Sequence, residues 1–140
     1  MTTGFTGMTI TRETFKKAER LSSRKTITKL FESGNTLFTR YFKVIWAESE
    51  TDSPFPARIA FAVPKKRIRH AVIRNLLKRR IREAYRKNKY PFYKFLVSEN
   101  IQIALMVIFR KDTIEEYSTL EKAVREMLGR ISSEIREKRY

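Results

Sequence analysis

The chain has 140 residues, 41% of them hydrophobic, which suffices for one core and hardly for two. It carries 31 Lys and Arg against 15 Asp and Glu, a formal net charge of +16. An excess this large repels itself in the folded state, and a polyanion such as nucleic acid would neutralise it. With no Cys and a single His, His70, the chain has no disulfide framework, thiol nucleophile or thiolate metal site. It also has no His-rich zinc site and no pair of imidazoles for catalysis. The longest apolar run, Ile103 to Phe109, falls far short of the ~20 residues of a membrane span. The N-terminus lacks a signal-peptide pattern, so a cytoplasmic protein without a membrane partner is expected.

Residues 1–14 hold Gly4, Gly7 and several Thr, and read as a flexible lead-in to a single domain over 15–140. From Phe15 to Ser33 the pattern is helical. Ile27, Leu30 and Phe31 fall at i, i+3 and i+4, Ser22 and Ser23 are candidate caps, and Gly34-Asn35 supplies a stop. Arg40 to Glu48 alternates like a half-buried strand. Phe42, Val44 and Trp46 form one face, and Tyr41, Lys43, Ile45 and Ala47 form the other. After the loop 49–56, residues 58–63 alternate again, with Ile59, Phe61 and Val63 together; the two strands are expected to pair as a hairpin.

Ala71 to Lys87 is the strongest helix, with Ile73, Leu77, Ile81 and Ala84 in one apolar sector and Leu76 and Tyr85 at its edges. Residues 88–100 hold Pro91, several aromatics and a short helical turn. Ile101 to Phe109 is apolar on both faces, as a central strand would be. Thr113 to Lys138 reads as a helix with a stripe of Tyr117, Leu120, Val124, Met127, Leu128, Ile131 and Ile135. The expected fold is therefore α/β, a small sheet with helices packed on it as a two-layer α+β sandwich in the order α-β-β-α-β-α.

The positive charge is concentrated. Residues 58–89 hold 13 Lys and Arg and one acid, Glu83, for a local +12. Residues 110–140 hold eight and seven, a local +1. Arg74, Lys78, Arg79, Arg82 and Arg86 share one sector of the strongest helix with Asn75 among them, and Lys65-Lys66-Arg67 and Arg69 precede it. Like charges at i, i+4 repel, so such a face is best explained by phosphates. A second surface combines Ile27 and Phe31 of the first helix with the strand face of Tyr41, Lys43 and Ile45; aromatics beside cations suit unpaired nucleotides, although the same spacing is also that of core residues. Hydrolysis of phosphodiesters by protein-held metal calls for clustered carboxylates, and the basic stretch has only Glu83. Glu48, Glu50 and Asp52 fall in a polar loop, and His70 has no orienting acid nearby in sequence. Catalysis by these side chains alone is therefore not expected.

The run Val63-Pro64-Lys65-Lys66, followed by Ala71-Val72-Ile73-Arg74-Asn75-Leu76-Leu77-Lys78-Arg79-Arg80-Ile81-Arg82, resembles the signature of the bacterial ribonuclease P protein subunit. Arg20-Leu21, Arg24, the turn Ile27 to Phe31 and Gly34 are similar to that family's beginning, and the resemblance covers about residues 18–132. It implies a fold built around a left-handed βαβ crossover, against the usual right-handed default. It implies a ribonucleoprotein endonuclease that removes 5′ leaders from precursor tRNA, with catalysis by an RNA subunit that uses Mg²⁺. The partners implied are that RNA and precursor tRNA, with no protein homo-oligomer required. By position, Lys65, Lys66, Arg74, Asn75, Lys78, Arg79 and Arg82 would face the RNA subunit. Arg24, Lys25, Ile27, Phe31, Tyr41, Lys43 and Ile45 would form a cleft for the leader. Leu76 stands where the family usually has a second Arg, leaving that contact missing or taken by Arg80. Ile27 replaces a frequent Phe, and Lys43 an apolar residue, which implies weaker stacking and stronger phosphate pairing. Among other readings, a ribosomal or structural RNA-binding protein would need no cleft. A protein-only nuclease lacks carboxylates, and a major-groove DNA reader would need more base-reading side chains than Asn75.

Overall fold

The computed structural model describes residues 15–51 and 53–139; the expected lead-in, 1–14, lies outside them. A 3₁₀ turn at Lys17–Glu19 leads to α1 (Arg24–Ser33), β1 (Asn35–Phe38), β2 (Phe42–Glu48), β3 (Ala57–Ala62), α2 (Ala71–Asn88), α3 (Tyr90–Ser98), β4 (Ile103–Phe109) and α4 (Tyr117–Arg139). The α/β class, with one small sheet and helices against it, is as expected. Two elements are additional: β1, where Gly34-Asn35 reads as a stop, and α3, a full helix opened by Pro91 in its first turn. The helix expected from Phe15 is shorter. Its first part is the 3₁₀ turn, and α1 proper begins after Ser23, whose hydroxyl accepts from the Thr26 amide at 3.2 Å.

The sheet order is β1-β2-β4-β3, so the expected β2–β3 hairpin does not form. β4 inserts between them, antiparallel to β2 and parallel to β3. Its apolar residues are buried on both faces, and a strand with no polar face is best placed with a partner on each side. The loop after β2 passes over the start of β4 and is organised by Gln102. The Gln102 side chain accepts from the Thr51 amide at 3.2 Å and donates to the carbonyls of Ser53 and Phe55. β3 and β4 are joined through α2 and α3 and form a βαβ unit.

One face of the sheet carries the main core. Phe42, Val44 and Trp46 of β2, Ile103, Leu105, Val107 and Phe109 of β4, and Ile59 of β3 meet Leu77, Ile81, Ala84 and Tyr85 of α2. They also meet the expected stripe of α4 from Leu120 to Ile135. The Trp46 indole donates to Glu134 of α4 at 2.5 Å, so the end of that helix is tied to the sheet. The opposite face carries a smaller cluster of Leu21, Leu30, Ile45, Ala104 and Met106, covered by α1.

Two features hold α1 in place. Leu21 donates its amide to the Ile59 carbonyl at 2.9 Å, which fastens the segment before α1 to the outer edge of β3. At the other end of α1 lies Gly34. A Cβ there would stand 2.6 Å from the Leu30 carbonyl oxygen and 2.7 Å from Cγ2 of Ile45. Gly34→Ala should therefore push α1 off the sheet and destabilise the chain by about 1–3 kcal/mol, read as a lowered denaturation midpoint. An unchanged midpoint would show that the helix does not need this close approach.

Candidate nucleic-acid interface

The basic surface is built from the turn after β3 and from α2. The Pro64 carbonyl accepts from the amides of Arg67 and Ile68 at 3.0 and 3.1 Å, which curls the chain so that Lys65, Lys66 and Arg67 are exposed above the buried Ile68. Arg74 then reaches back. Its guanidinium donates to the carbonyls of Ile68 at 3.0 Å and Arg69 at 2.8 Å, locking the turn to the first part of α2. Arg74 is thus a brace for Lys65 and Lys66 as well as a cation on the same surface. Asn75, Arg79 and Arg82 are exposed on α2, and Lys78 is half-buried. Among the described residues, no carboxylate pairs with Lys65, Lys66, Lys78, Arg79 or Arg82. The single acid of α2, Glu83, is taken up by Arg86 at 2.6 Å, and that hydrogen bond holds its carboxyl below the usual range. Arg80 donates to the Glu115 carbonyl before α4.

The second surface is the sheet face under α1. Ile27 is half-buried against Ile45, while Phe31 remains 57% exposed and Arg24 and Lys25 are exposed. Ile45 itself is buried and can form only the floor. Tyr41 does not share this face. It precedes β2 in a bend, and its ring packs against the helix-side core, flanked by Arg40 at 5.4 Å and Lys111 at 5.8 Å. The alternation that would place it with Lys43 and Ile45 begins only at Phe42.

In its place the structure brings in Phe38 and Arg110, which the sequence reading missed. Phe38 pairs with Lys43 across β1–β2, and Lys43 pairs with Ile108 across β2–β4, so all three side chains share the α1 face. The Phe38 ring is 50% exposed, with the Arg110 guanidinium 4.9 Å from its centroid and the Lys43 ammonium 5.8 Å away. Arg110 is oriented by its hydrogen bond to the Thr39 carbonyl. The turn bearing Lys65 and Lys66 leaves β3 beside Ala60 and Ala62, which pack into the same cluster, so the basic helix and the α1 face adjoin through β3. An exposed ring under two cations can stack a base and pair its phosphate.

Among the described residues, no group of three or more His, Asp or Glu could hold a metal ion, and no helix is long and apolar enough to cross a membrane.

Comparison with known proteins bears on the family and the fold. The model of the Ribonuclease P family matches residues 15–132. The ribonuclease P protein component of Porphyromonas gingivalis is 30% identical over 119 residues, covering 85% of this chain and 87% of that one. The component from Chlorobium phaeobacteroides is 31% identical over 126 residues, covering 83% and 86%. Among solved structures, the ribonuclease P protein of Thermotoga maritima superposes with a TM-score of 0.64 at 26% identity, covering 80% of this chain and 96% of that one. The Staphylococcus aureus protein gives 0.61 at 22% identity, covering 83% and 96%, a likeness of fold. The chain belongs to the ribonuclease P protein family, the protein components of a ribonuclease that processes tRNA.

Proposed function

We propose that this chain binds the catalytic RNA subunit of ribonuclease P through the turn and α2, and holds the 5′ leader of precursor tRNA against the face under α1. The observation that carries the reading is the run of cations on α2, with Arg79 and Arg82 exposed, Lys78 half-buried, and none of the three with a carboxylate partner among the described residues. Lys65, Lys66, Lys78, Arg79 and Arg82 pair with phosphates of the RNA subunit, Asn75 contacts a nucleotide, and Arg74 keeps the turn in register. On the leader side, Arg24, Lys25 and Lys43 supply charge, Phe31 and Phe38 supply exposed rings, and Ile27 and Ile45 supply an apolar floor.

In this division of labour the protein positions and the RNA cuts. In this reading Mg²⁺ is used by the RNA subunit. The chain's own work is to neutralise phosphates where two RNAs approach and to hold the leader extended, which lowers the Mg²⁺ concentration at which the RNA works. A cytoplasmic location follows, since precursor tRNA is there. No second copy of the chain is needed.

Phe31→Ala tests the leader half. It should leave affinity for the RNA subunit unchanged and reduce the preference for leader-bearing over mature tRNA by about tenfold, the worth of one stacked base. Binding is measured with the reconstituted holoenzyme and both tRNAs. Equal loss for both would remove the leader from this surface.

A further inference from the structure

A groove of about 740 Å³ lies where the end of α2, α3 and α4 meet, apart from both surfaces described above. Tyr90 and Phe95 of α3 line it, with Leu128 of α4, and Lys87, Arg125 and Arg136 are among its cations. The Arg136 guanidinium stands 5.0 Å from the Phe95 ring centroid. Its volume is in the usual range of about 300–1,000 Å³ for small-ligand sites.

Gly129, another lining residue, stands inside the 23-residue helix α4. A glycine in a helix interior costs about 1 kcal/mol relative to alanine. Yet a Cβ on Gly129 would meet nothing within 4 Å, so the described neighbours do not demand glycine there. What the missing side chain leaves is open space along the groove.

The charges indicate the occupant. Glu121 lies 3.7 Å from Arg125, and Glu83 is engaged by Arg86; Lys87 is near enough to lower both carboxyls but forms an ion pair with neither, and Arg136 forms none among the described residues. Arg86 also lines the groove, and it follows Arg79 and Arg82 along the same sector of α2. The basic face thus runs to the groove's edge. We propose that the groove receives an unpaired nucleotide of the same RNA that lies on α2. Its base would lie against Tyr90 and Phe95, and its phosphate would meet Lys87 and Arg136. This inference rests on the reading that α2 binds RNA. Aromatic walls beside cations, continuous with a basic helix face, favour a nucleotide over an acidic protein segment.

The chain has no Cys, so Gly129→Cys introduces a single thiol. Val72→Cys does the same on α2, where Val72 is 78% exposed. Each is loaded with tethered iron-EDTA, assembled with the catalytic RNA, and the RNA scission sites are mapped. Both positions should cut, at different nucleotides. In parallel, Gly129→Trp should weaken RNA binding about tenfold by filling the groove, while Gly129→Ala should melt no lower than the parent. Cutting from Val72→Cys with none from Gly129→Cys would overturn the groove assignment and leave the α2 reading intact. No cutting from either would defeat the α2 reading itself. Undiminished RNA binding by Gly129→Trp would also overturn the proposal. So would self-association of the parent chain that Gly129→Trp abolishes while RNA binding stays intact, which would assign the groove to a second copy.

Discussion

Lys89→Met is expected to cost about 3–5 kcal/mol of folding stability, the usual loss when one partner of a buried ion pair is removed. Lys89 is 2% exposed and its ammonium meets the carboxylate of Glu19, which is fully buried. Burial pushes the Lys89 ammonium down from its usual range, and Glu19 draws it back up. The carboxylate is also held by the Tyr93 hydroxyl at 2.6 Å and the Lys16 amide at 2.6 Å, and Tyr93 accepts from Tyr85. Removing the ammonium leaves a buried negative charge with only neutral donors. The double change Glu19→Leu with Lys89→Met should recover most of the loss, because it removes both charges. Urea denaturation of the three variants decides this, and a loss under about 1 kcal/mol for Lys89→Met would show that the pair is not buried as described. The consequence reaches the candidate site. Glu19 anchors the 3₁₀ turn that leads through Leu21 into α1, so Lys89→Met should also impair recognition of the leader.

The second large effect is on RNA affinity. Lys78, Arg79 and Arg82 changed together to Ala should flatten the dependence of log affinity on log salt by about 2–3 units, at about 0.7–0.9 for each phosphate no longer neutralised. Affinity at moderate salt should fall by about a hundredfold or more. A triple change on α4, Lys122, Arg130 and Lys138 to Ala, removes the same charge from solvent-facing positions and should leave the slope within about one unit of the parent. Equal slopes for the two triples would mean that net charge, not the α2 face, drives binding. Titration of the catalytic RNA across a salt series measures both.

The contrast between α2 and the α1 face shows what can be read from a sequence. The α2 cations are legible because helical spacing alone brings Arg74, Lys78, Arg79 and Arg82 into one sector. The stripes of α2 and α4, and the two apolar faces of β4, are local patterns too, and the structure has them. Alternation in β2 and β3 reveals which residues share a face, but not which strand lies beside which. That depends on where β4 is inserted, and so the expected hairpin does not form. β1 is only four residues long and follows Gly34, so it gives no usable period. Phe38 and Arg110 meet only through the register of three strands, and no spacing of theirs in the chain could reveal it. Glu19 and Lys89 lie 70 residues apart and read individually as ordinary surface charges; their burial is a property of the packed core. The fold class and the basic helix were thus local properties, and the second surface was a tertiary one.

The most direct test of the division of labour is cleavage of precursor tRNA at low Mg²⁺ by the catalytic RNA alone, by this chain alone and by the two together. The chain alone should cut nothing, and the RNA alone should cut weakly. The assembled pair should release the 5′ leader at a single position. Cleavage by the chain alone, or no gain on adding it to the RNA, would contradict the account.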